Sequence, residues 1–341
     1  MLGQNSGQSV LSDAGSAVGP NPMILELDHL GGAKALPSIE SCLPFLPDSD
    51  RLIWIRSYLN EQTPAFLTSL NVMSTSFIKM LCAAETRPST FSGSDGLIGI
   101  FRSVSPSLEK TTVQNKDAAS IRVFINKNII VMVQVNQLVS IDRLQANLVA
   151  NLGPKTSADF VVALLDEITD RISEVIITWD DVLDQLEGDT EIAASADQSE
   201  LVLLRKGILM LRRYLIPQRE AINQMEPEKL SWFDANNQTH IAEIAQAMIR
   251  LVEDLETEKD RVEALQDSIS TQNQQDTNQR TYYLSIVAAI FLPISFATGL
   301  LGSNLAGIPF ATKPWSFPAF CFLLLSIALS IAVFLRYRKW F

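Results

Sequence analysis

The apolar segment YYLSIVAAIFLPISFATGLL, residues 282–301, is followed at residues 317–335 by a second one, FPAFCFLLLSIALSIAVFL. These runs are 20 and 19 residues long, about what one helix needs to cross roughly 30 Å of hydrocarbon. The last 61 residues contain no Asp or Glu, although the whole chain of 341 residues has 38. The sequence therefore predicts a transmembrane hairpin with spans at 282–302 and 317–335, an outer loop at 303–316, and a large body outside the lipid bilayer.

Basic residues predict the orientation of this hairpin. Arg280 precedes the first span and Arg336, Arg338 and Lys339 follow the second, whereas the loop contains Lys313 as its single basic residue. Lys and Arg accumulate on the cytoplasmic side of membrane helices. We therefore expect a multi-pass protein of the inner (plasma) membrane with both termini in the cytoplasm.

The rest of the chain is acidic. Residues 1–280 hold 38 acidic and 23 basic residues, a net charge of −15. Such a body fits cationic partners and argues against nucleic acid, which selects basic surfaces. The dispersed cysteines Cys42, Cys82 and Cys321 are typical of a reducing compartment. Residues 1–22 lack the charged and apolar regions of a signal peptide, so we expect a disordered tail or an expression remnant.

Residues 23–225 are predicted to form a cytoplasmic α/β domain with a helical return. Runs rich in β-branched and aromatic residues predict strands, with a tight hairpin connection at 126–128. Helical spacing of apolar residues predicts helices at 64–81, from residue 157 to 179, and at 200–215. The predicted strands are residues 23–27, 52–56, 97–102, 121–125 and 129–135.

A long stalk helix, assigned to residues 226–281, is predicted to lead into the first span. The 65 residues between Pro227 and Pro293 contain no Pro or Gly, and a helix of that length would extend nearly 100 Å at about 1.5 Å per residue. A heptad of mostly apolar residues suits packing against partner helices; a helix lying on its own domain would have the same pattern. The heptad positions are Ile241, Ile244, Met248, Leu251, Leu255, Glu258, Val262, Leu265, Ile269 and Gln272.

Polar residues of the stalk bear on ion traffic. Residues 270–281 contain no apolar side chain, so a helix there is expected to be surrounded by water; a flexible break is the alternative. From His240 to Asp267 there are eight acidic residues against Arg250, Lys259 and Arg261. That excess would concentrate cations, although a solvated helix face explains it as well.

The first span contains polar and helix-distorting residues. Pro293 removes a backbone donor and is expected to bend the helix or expose a carbonyl. Ser285, Ser295 and Thr298 add hydroxyls, which in membrane helices commonly bond to the backbone or to a neighbouring helix. Asn304, at the end of the span, offers a hard oxygen donor suited to a metal ion or its water shell.

Four segments resemble the CorA metal-ion transporter superfamily. The segment YLSIVAAIFLPISFATGLLGSN, residues 283–304, is similar to its pore helix, which ends in Gly-Met-Asn, or in Gly-Val-Asn or Gly-Ile-Asn in the zinc-transporter (ZntB-like) branch. LRRYLIPQREA at 211–221 and ETRP at 85–88 look like the stalk entry and the N-terminal motif of that branch. NLAGIP at 304–309 is similar to its outer loop.

The resemblance implies a homopentameric funnel. Each subunit would have an α+β cytoplasmic domain, an αβα sandwich with a mixed sheet, followed by a long stalk helix and a two-helix transmembrane hairpin. Gly302, Ser303 and Asn304 would form the selectivity signature and pore mouth, with Asn304 holding a hydrated ion. Ser303 departs from the usual Met, Val or Ile. The other pore-lining positions would be Asp267, Thr281, Leu284, Leu292, Ser295 and Gly299.

The ion implied by the resemblance is Zn²⁺, with Mg²⁺, Co²⁺, Ni²⁺ and Cd²⁺ as further candidates, and no cofactor. Magnesium-type members usually carry an acidic residue after the signature, whereas residues 305–315 contain none, which fits the zinc branch. A ring of Asn304 carbonyls suits hydrated Mg²⁺, while the zinc ligands His and Cys are scarce: His29 and His240 are the two histidines. Proton-coupled import is implied by the resemblance alone.

Other functional classes remain open at this point. An enzyme is not expected, because the chain has no Gly-rich phosphate loop, metal-ligand cluster or catalytic triad. The alternatives to a zinc transporter are a Mg²⁺/Co²⁺ channel of the CorA type and a non-conducting, membrane-anchored sensor or scaffold.

We predict that Asn304→Ala abolishes metal uptake into liposomes without dissociating the pentamer, because the side-chain carbonyl would be lost from the pore mouth. Ser295→Ala should reduce the flux less. Normal uptake by the Asn304 variant would remove this residue from the site.

Overall fold

Seven β-strands form the central sheet of the computed structural model, which describes residues 22–38, 50–93, 96–104, 118–188, 198–225, 227–303 and 313–337. The strand order is β2-β1-β3-β7-β6-β5-β4. Neighbouring strands are antiparallel except β3 and β7, which are parallel, so the predicted mixed sheet is confirmed. The strands are β1 (Met23–Leu27), β2 (Ala33–Ala35), β3 (Leu52–Tyr58), β4 (Ser89–Gly93), β5 (Gly96–Val104), β6 (Ala118–Ile125) and β7 (Ile129–Gln134).

All five strands that the sequence predicts are present, and the two that it misses lie at the sheet edges. β2 is AKA and β4 is STFSG, too short and too polar for an alternating apolar pattern. Such edge strands are common because short, polar edges resist pairing with other chains. The hairpin between β6 and β7 is confirmed: the side-chain oxygen Oδ1 of Asn126 accepts hydrogen bonds from the amides of Asn128 and Ile129, both at 2.9 Å.

The described residues contain seven α-helices and one short 3₁₀ turn at Pro227–Lys229. The predicted helix at 64–81 is in fact two helices, because Asn71 adopts a left-handed conformation (φ 50°) and Ser74 caps the second helix. The prediction at 200–215 is too short, because that helix continues through Pro217 to Asn223. The helices are α1 (Thr63–Leu70), α2 (Thr75–Leu81), α3 (Val139–Val149), α4 (Ser157–Gly188), α5 (Gln198–Asn223), α6 (Ala235–Leu301) and α7 (Ser316–Tyr337).

Helices cover both faces of the sheet. Ile53 and Ile55 of β3 belong to a buried cluster with Leu67 of α1 and with α2. Between them, Trp54 points to the opposite face, where its ring meets Phe160 of α4 at a centroid distance of 5.1 Å. Because β3 is buried on both faces, its first four residues form a continuous apolar run, as expected in a layered α/β core.

The apolar heptad of α6 is buried within a single chain. Met248, Leu255 and Val262 are fully inaccessible to solvent, and ion pairs join the same part of α6 to α4 and α5. The interpretation that the heptad packs against partner subunits is therefore wrong for these positions. Their apolar period reflects packing on the chain's own domain, which was the alternative.

Ion pairs neutralise part of the acidic excess on α6. Arg261 contacts three carboxylates of α4: Asp180 and Asp184 at 2.5 Å each and Glu187 at 2.9 Å. These hydrogen bonds, with that to Glu187 the strongest, raise the pKa of the guanidinium. Glu256 and Glu263 of α6 pair with Arg212 and Arg205 of α5. Two of the eight acidic residues counted on α6 are therefore paired with arginines of a neighbouring helix, whereas Arg261 of α6 is engaged by acidic residues of α4.

Glu258 is the one ionisable residue in the buried heptad, and it predicts a pH dependence of stability. It is 6% exposed, and burial raises its pKa above the ordinary range of a glutamate although Arg261 lies near. Ionisation therefore costs folding stability: the cost is absent below the unfolded-state pKa and complete above the raised folded-state pKa.

Glu258→Gln keeps the shape of the neutral side chain. The melting temperature of this variant minus that of the unmodified protein should increase as the pH rises from about 4 to about 7.5. The measurement is thermal unfolding of the full-length protein in detergent. Glu253→Gln, at an exposed position of the same helix, is the control. An offset that does not change with pH would contradict the prediction.

Candidate functional site

The candidate site lies in the C-terminal of the two compact units into which the chain divides, Met1–Leu265 and Gln266–Phe341. Among the described helices, α6 is the one long and apolar enough to cross a membrane: its best window has a mean hydropathy of 2.2 and is only 6% buried. In α7 the apolar stretch Ser316–Ile331 is shorter than a span. The two-helix hairpin therefore stays a prediction.

Five of the predicted pore residues lie on one face of α6. At about 100° per residue, Thr281, Leu284, Leu292, Ser295 and Gly299 fall within an arc of about 80°. All five are exposed in the single chain, Leu284 by 70% and Leu292 by 73%. We call these five residues the α6 stripe.

The opposite face of α6 is covered. Ile286 is 6% exposed, and Ile290, Ile294 and Ala297 are half-buried. The second described helix of this unit, α7, has a half-buried face of its own at Phe320, Leu324, Ile327 and Ile331. The α6 stripe lies on the other side of the helix from Ile286 and is uncovered in the single chain.

Asp267 and the polar segment precede the stripe on the same helix. Residues 270–281 are helical, and all of them are exposed. The flexible break that was the alternative for this segment is thus absent from the described residues. Asp267 is exposed and lies about 40° from Thr281 around the helix axis. The sequence prediction of a helix surrounded by water is confirmed for the isolated chain.

The hydroxyl groups of the span differ in their hydrogen bonding. Ser285 donates to the carbonyl of Thr281 at 2.8 Å, and Thr298 donates to the carbonyl of Ile294 at 2.9 Å. Such bonds to the preceding turn are usual for Ser and Thr inside helices. Within the described residues Ser295 has no hydrogen bond of this kind, so its hydroxyl is available on the exposed stripe.

Gly299 and Gly302, near the end of α6, differ in the space around them. The amide of Gly302 donates to the carbonyl of Thr298 at 2.8 Å, and a Cβ on Gly302 would stand 2.7 Å from that oxygen. A Cβ on Gly299 would meet nothing within 4 Å. Ser303 Oγ donates to the carbonyl of Leu300 at 2.9 Å. Asn304, with residues 305–312 of the predicted outer loop, lies outside the described residues.

Histidine and cysteine do not gather in the part of the chain that the structure describes. His240 is exposed on α6. His29 contacts the backbone oxygens of Lys155 and Asp50 at 2.8 and 2.6 Å, and Cys321 is exposed on α7. No group of three or more His, Cys, Asp or Glu there could hold a metal ion. The polar groups along the stripe are hydroxyl oxygens.

Ala288 completes the stripe but was missed by the sequence analysis. It is exposed and lies four residues from both Leu284 and Leu292, at the centre of the same arc. Its spacing was a usable signal, but its apolar methyl group made it look like an ordinary residue of the span. A small residue here leaves the stripe open between two leucines.

These features define a class of protein with an α+β domain, a long helix and an apolar helical unit. The chain belongs to the CorA family. The model of this family, described as CorA-like Mg2+ transporter protein, matches residues 49–339. The resemblance stated from the sequence is thereby confirmed. Members of this family are transporters, so the prediction that the chain is not an enzyme is confirmed as well.

Individual relatives agree with this assignment. The zinc transport protein ZntB of Yersinia enterocolitica serotype O:8 / biotype 1B is 31% identical over 92% of this chain and 94% of its own length. The structure of the full-length CmaX protein matches with a TM-score of 0.78 and 29% identity, covering 95% of this chain and all of CmaX. The CorA magnesium transporter from Methanocaldococcus jannaschii shares the fold, with a TM-score of 0.74, 17% identity and 95% and 100% coverage.

The orientation of the α6 stripe predicts a difference in water accessibility. In a variant whose native cysteines are replaced by serine, Ser295→Cys should react with a membrane-impermeant methanethiosulfonate reagent, because a pore face is hydrated. Ala297→Cys is the matched control, since it is equally small, lies at nearly the same depth and is on the covered face. Equal labelling of the two positions would contradict this assignment.

Proposed function

We propose that the protein is a divalent-cation transporter of the inner membrane that carries Zn²⁺ through a pore lined by the α6 stripe. The observation that carries the proposal is this exposed face, which runs from Thr281 to Gly299 opposite the covered face of α6. The choice of ion rests on the ZntB relative, which is 31% identical over 92% of the chain.

A pore with one lining helix per subunit requires several subunits. One helix face cannot enclose a pathway, and lipid cannot satisfy polar groups such as the Ser295 hydroxyl. We propose a homopentamer with the stalk at 226–281, the hairpin at 282–341 and both termini in the cytoplasm. The open space around Gly299 supports close approach of a neighbouring subunit, because glycine allows backbones to come together.

The stripe would handle the ion through oxygens and constrictions. Leu284 and Leu292 would narrow the pore with apolar side chains, and Ser295 would offer a hydroxyl between the second constriction and the mouth. Asn304 would face the hydrated ion. Weak oxygen contacts suit conduction, because an ion that binds too tightly does not leave. Asp267 and the exposed polar segment 270–281 would form the cytoplasmic vestibule.

The family description favours a second candidate, a Mg²⁺ or Co²⁺ channel, since it names Mg²⁺. Hydrated Mg²⁺ keeps its waters and binds through few oxygen ligands, so the same stripe would serve it. Since the stripe suits either ion, transport measurements must distinguish the two candidates. One is Zn²⁺ import coupled to protons, and the other is Mg²⁺ conduction driven by the membrane potential.

The test is uptake of Zn²⁺ and of Mg²⁺ by the purified protein in liposomes, with and without an inward proton gradient. We expect Zn²⁺ uptake that the proton gradient enhances. Mg²⁺ uptake that follows the membrane potential and ignores pH would favour the channel. A verified pentamer that moves neither ion would favour a sensor or scaffold. Asn304→Ala in the same liposomes controls for leakage.

A further inference from the structure

A cavity of about 970 Å³ lies in the N-terminal unit. It is lined by residues 84–88 before β4, by Arg102 of β5 and by α5 from Lys206 to Pro217. The segments ETRP (85–88) and LRRYLIPQREA (211–221), singled out in the sequence, thus meet at one cavity. Transport through the α6 stripe gives neither segment a role.

The cavity is basic in an acidic protein. Four of its lining residues are cationic, namely Arg87, Arg102, Lys206 and Arg213, and Glu85 is the one acidic residue among the lining residues described. The whole chain has a net charge of −11. Positive charges collected in a concave site raise the local concentration of anions.

Carboxylates that pair with other arginines of the domain form no salt bridge with three of the cationic lining residues, within the part of the chain that the structure describes. Arg143 pairs with Glu174 at 2.7 Å, and Arg261 contacts several carboxylates. Arg87, Lys206 and Arg213 form no salt bridge within the described residues. With acidic residues more numerous than basic ones, this local excess of positive charge runs against the average of the chain.

Arg102, which lines the cavity, and Arg122, whose charge interacts with that of Arg102, are both contacted by neutral groups. Arg102 donates through Nη2 to the carbonyl of Thr86 at 2.7 Å, and its guanidinium lies 4.8 Å from the ring centroid of Tyr214. Arg122 donates through Nη1 to the carbonyls of Leu81 and Ala83 at 2.8 and 2.6 Å. Burial, and secondarily the charge of Arg102, lower the pKa of Arg122. The guanidinium of Arg102 is therefore held in place by contacts within the protein.

We propose that this cavity binds a phosphate-bearing anion of nucleotide size. Its volume is at the upper end of the range for small-molecule sites, about 300–1,000 Å³. Arg matches phosphate oxygens through two parallel hydrogen bonds, and Lys binds them as a point charge. Leu209, Met210 and Pro217 add an apolar wall on the α5 side, which suits the uncharged part of a nucleotide. The transporter would thereby carry a cytoplasmic ligand site distinct from its pore.

The test is calorimetric titration of the full-length protein in detergent with ATP, in a buffer free of divalent cations and of constant ionic strength. We expect saturable binding that inorganic triphosphate competes with. Arg213→Gln and Lys206→Gln should each weaken binding at least tenfold. Arg219→Gln, on the same helix but outside the cavity, should change the affinity less than twofold. Thermal unfolding and size-exclusion chromatography of each variant establish that it is folded and assembled.

Three results would overturn the proposal. They are the absence of saturable binding to the assembled protein, equal weakening by Arg213→Gln and the Arg219→Gln control, and a change of oligomeric state in the Arg213 or Lys206 variant, which would make the cavity a subunit contact. Binding is measured without transport, so these results leave the proposed pore untouched. Conversely, loss of transport in Asn304→Ala with normal ATP binding would separate the two sites.

Discussion

The structure depends on one helix, α6, whose two parts meet different surroundings. Its first part buries an apolar stripe centred on Met248 and Leu255 in the N-terminal unit, where the gain comes from removing apolar area from water. Its last part is predominantly apolar and mostly uncovered. The helix satisfies its backbone groups internally in both parts, which lipid requires of a spanning segment. Between them, the polar residues 270–281 keep the backbone helical without any packing.

The sequence predicts this arrangement well where a pattern is long and local. The apolar runs, the absence of helix breakers and the buried strands β3 and β7 are each recorded in consecutive residues. The edges of the sheet are not, since β2 and β4 have three and five residues of mixed character. The heptad shows a second limit of sequence prediction. The period of Met248, Leu255 and Val262 predicts that these residues are buried, but not whether the same chain or another subunit covers them.

The candidate site likewise has features that the sequence predicts and features that only the structure shows. Spacing alone places Thr281, Leu292 and Ser295 on one face, but only the three-dimensional arrangement shows that this face is the uncovered one. The basic cavity could not have been predicted from the sequence. Its charges come from segments more than one hundred residues apart, such as Arg87 and Arg213, and each is unremarkable beside its own neighbours. Electrostatic character at this scale follows from folding, which is why a net charge of −11 does not describe every surface of the protein.

The geometry at the end of α6 gives Gly302 and Ser303 a structural explanation that does not involve an ion. Because a side chain there would collide with the Thr298 carbonyl of its own helix, the glycine is demanded by how the helix terminates, whatever ion the protein carries. The hydroxyl of Ser303 is likewise engaged by the Leu300 carbonyl. The presence of glycine at position 302 therefore reflects how the helix ends and carries no information about the transported ion.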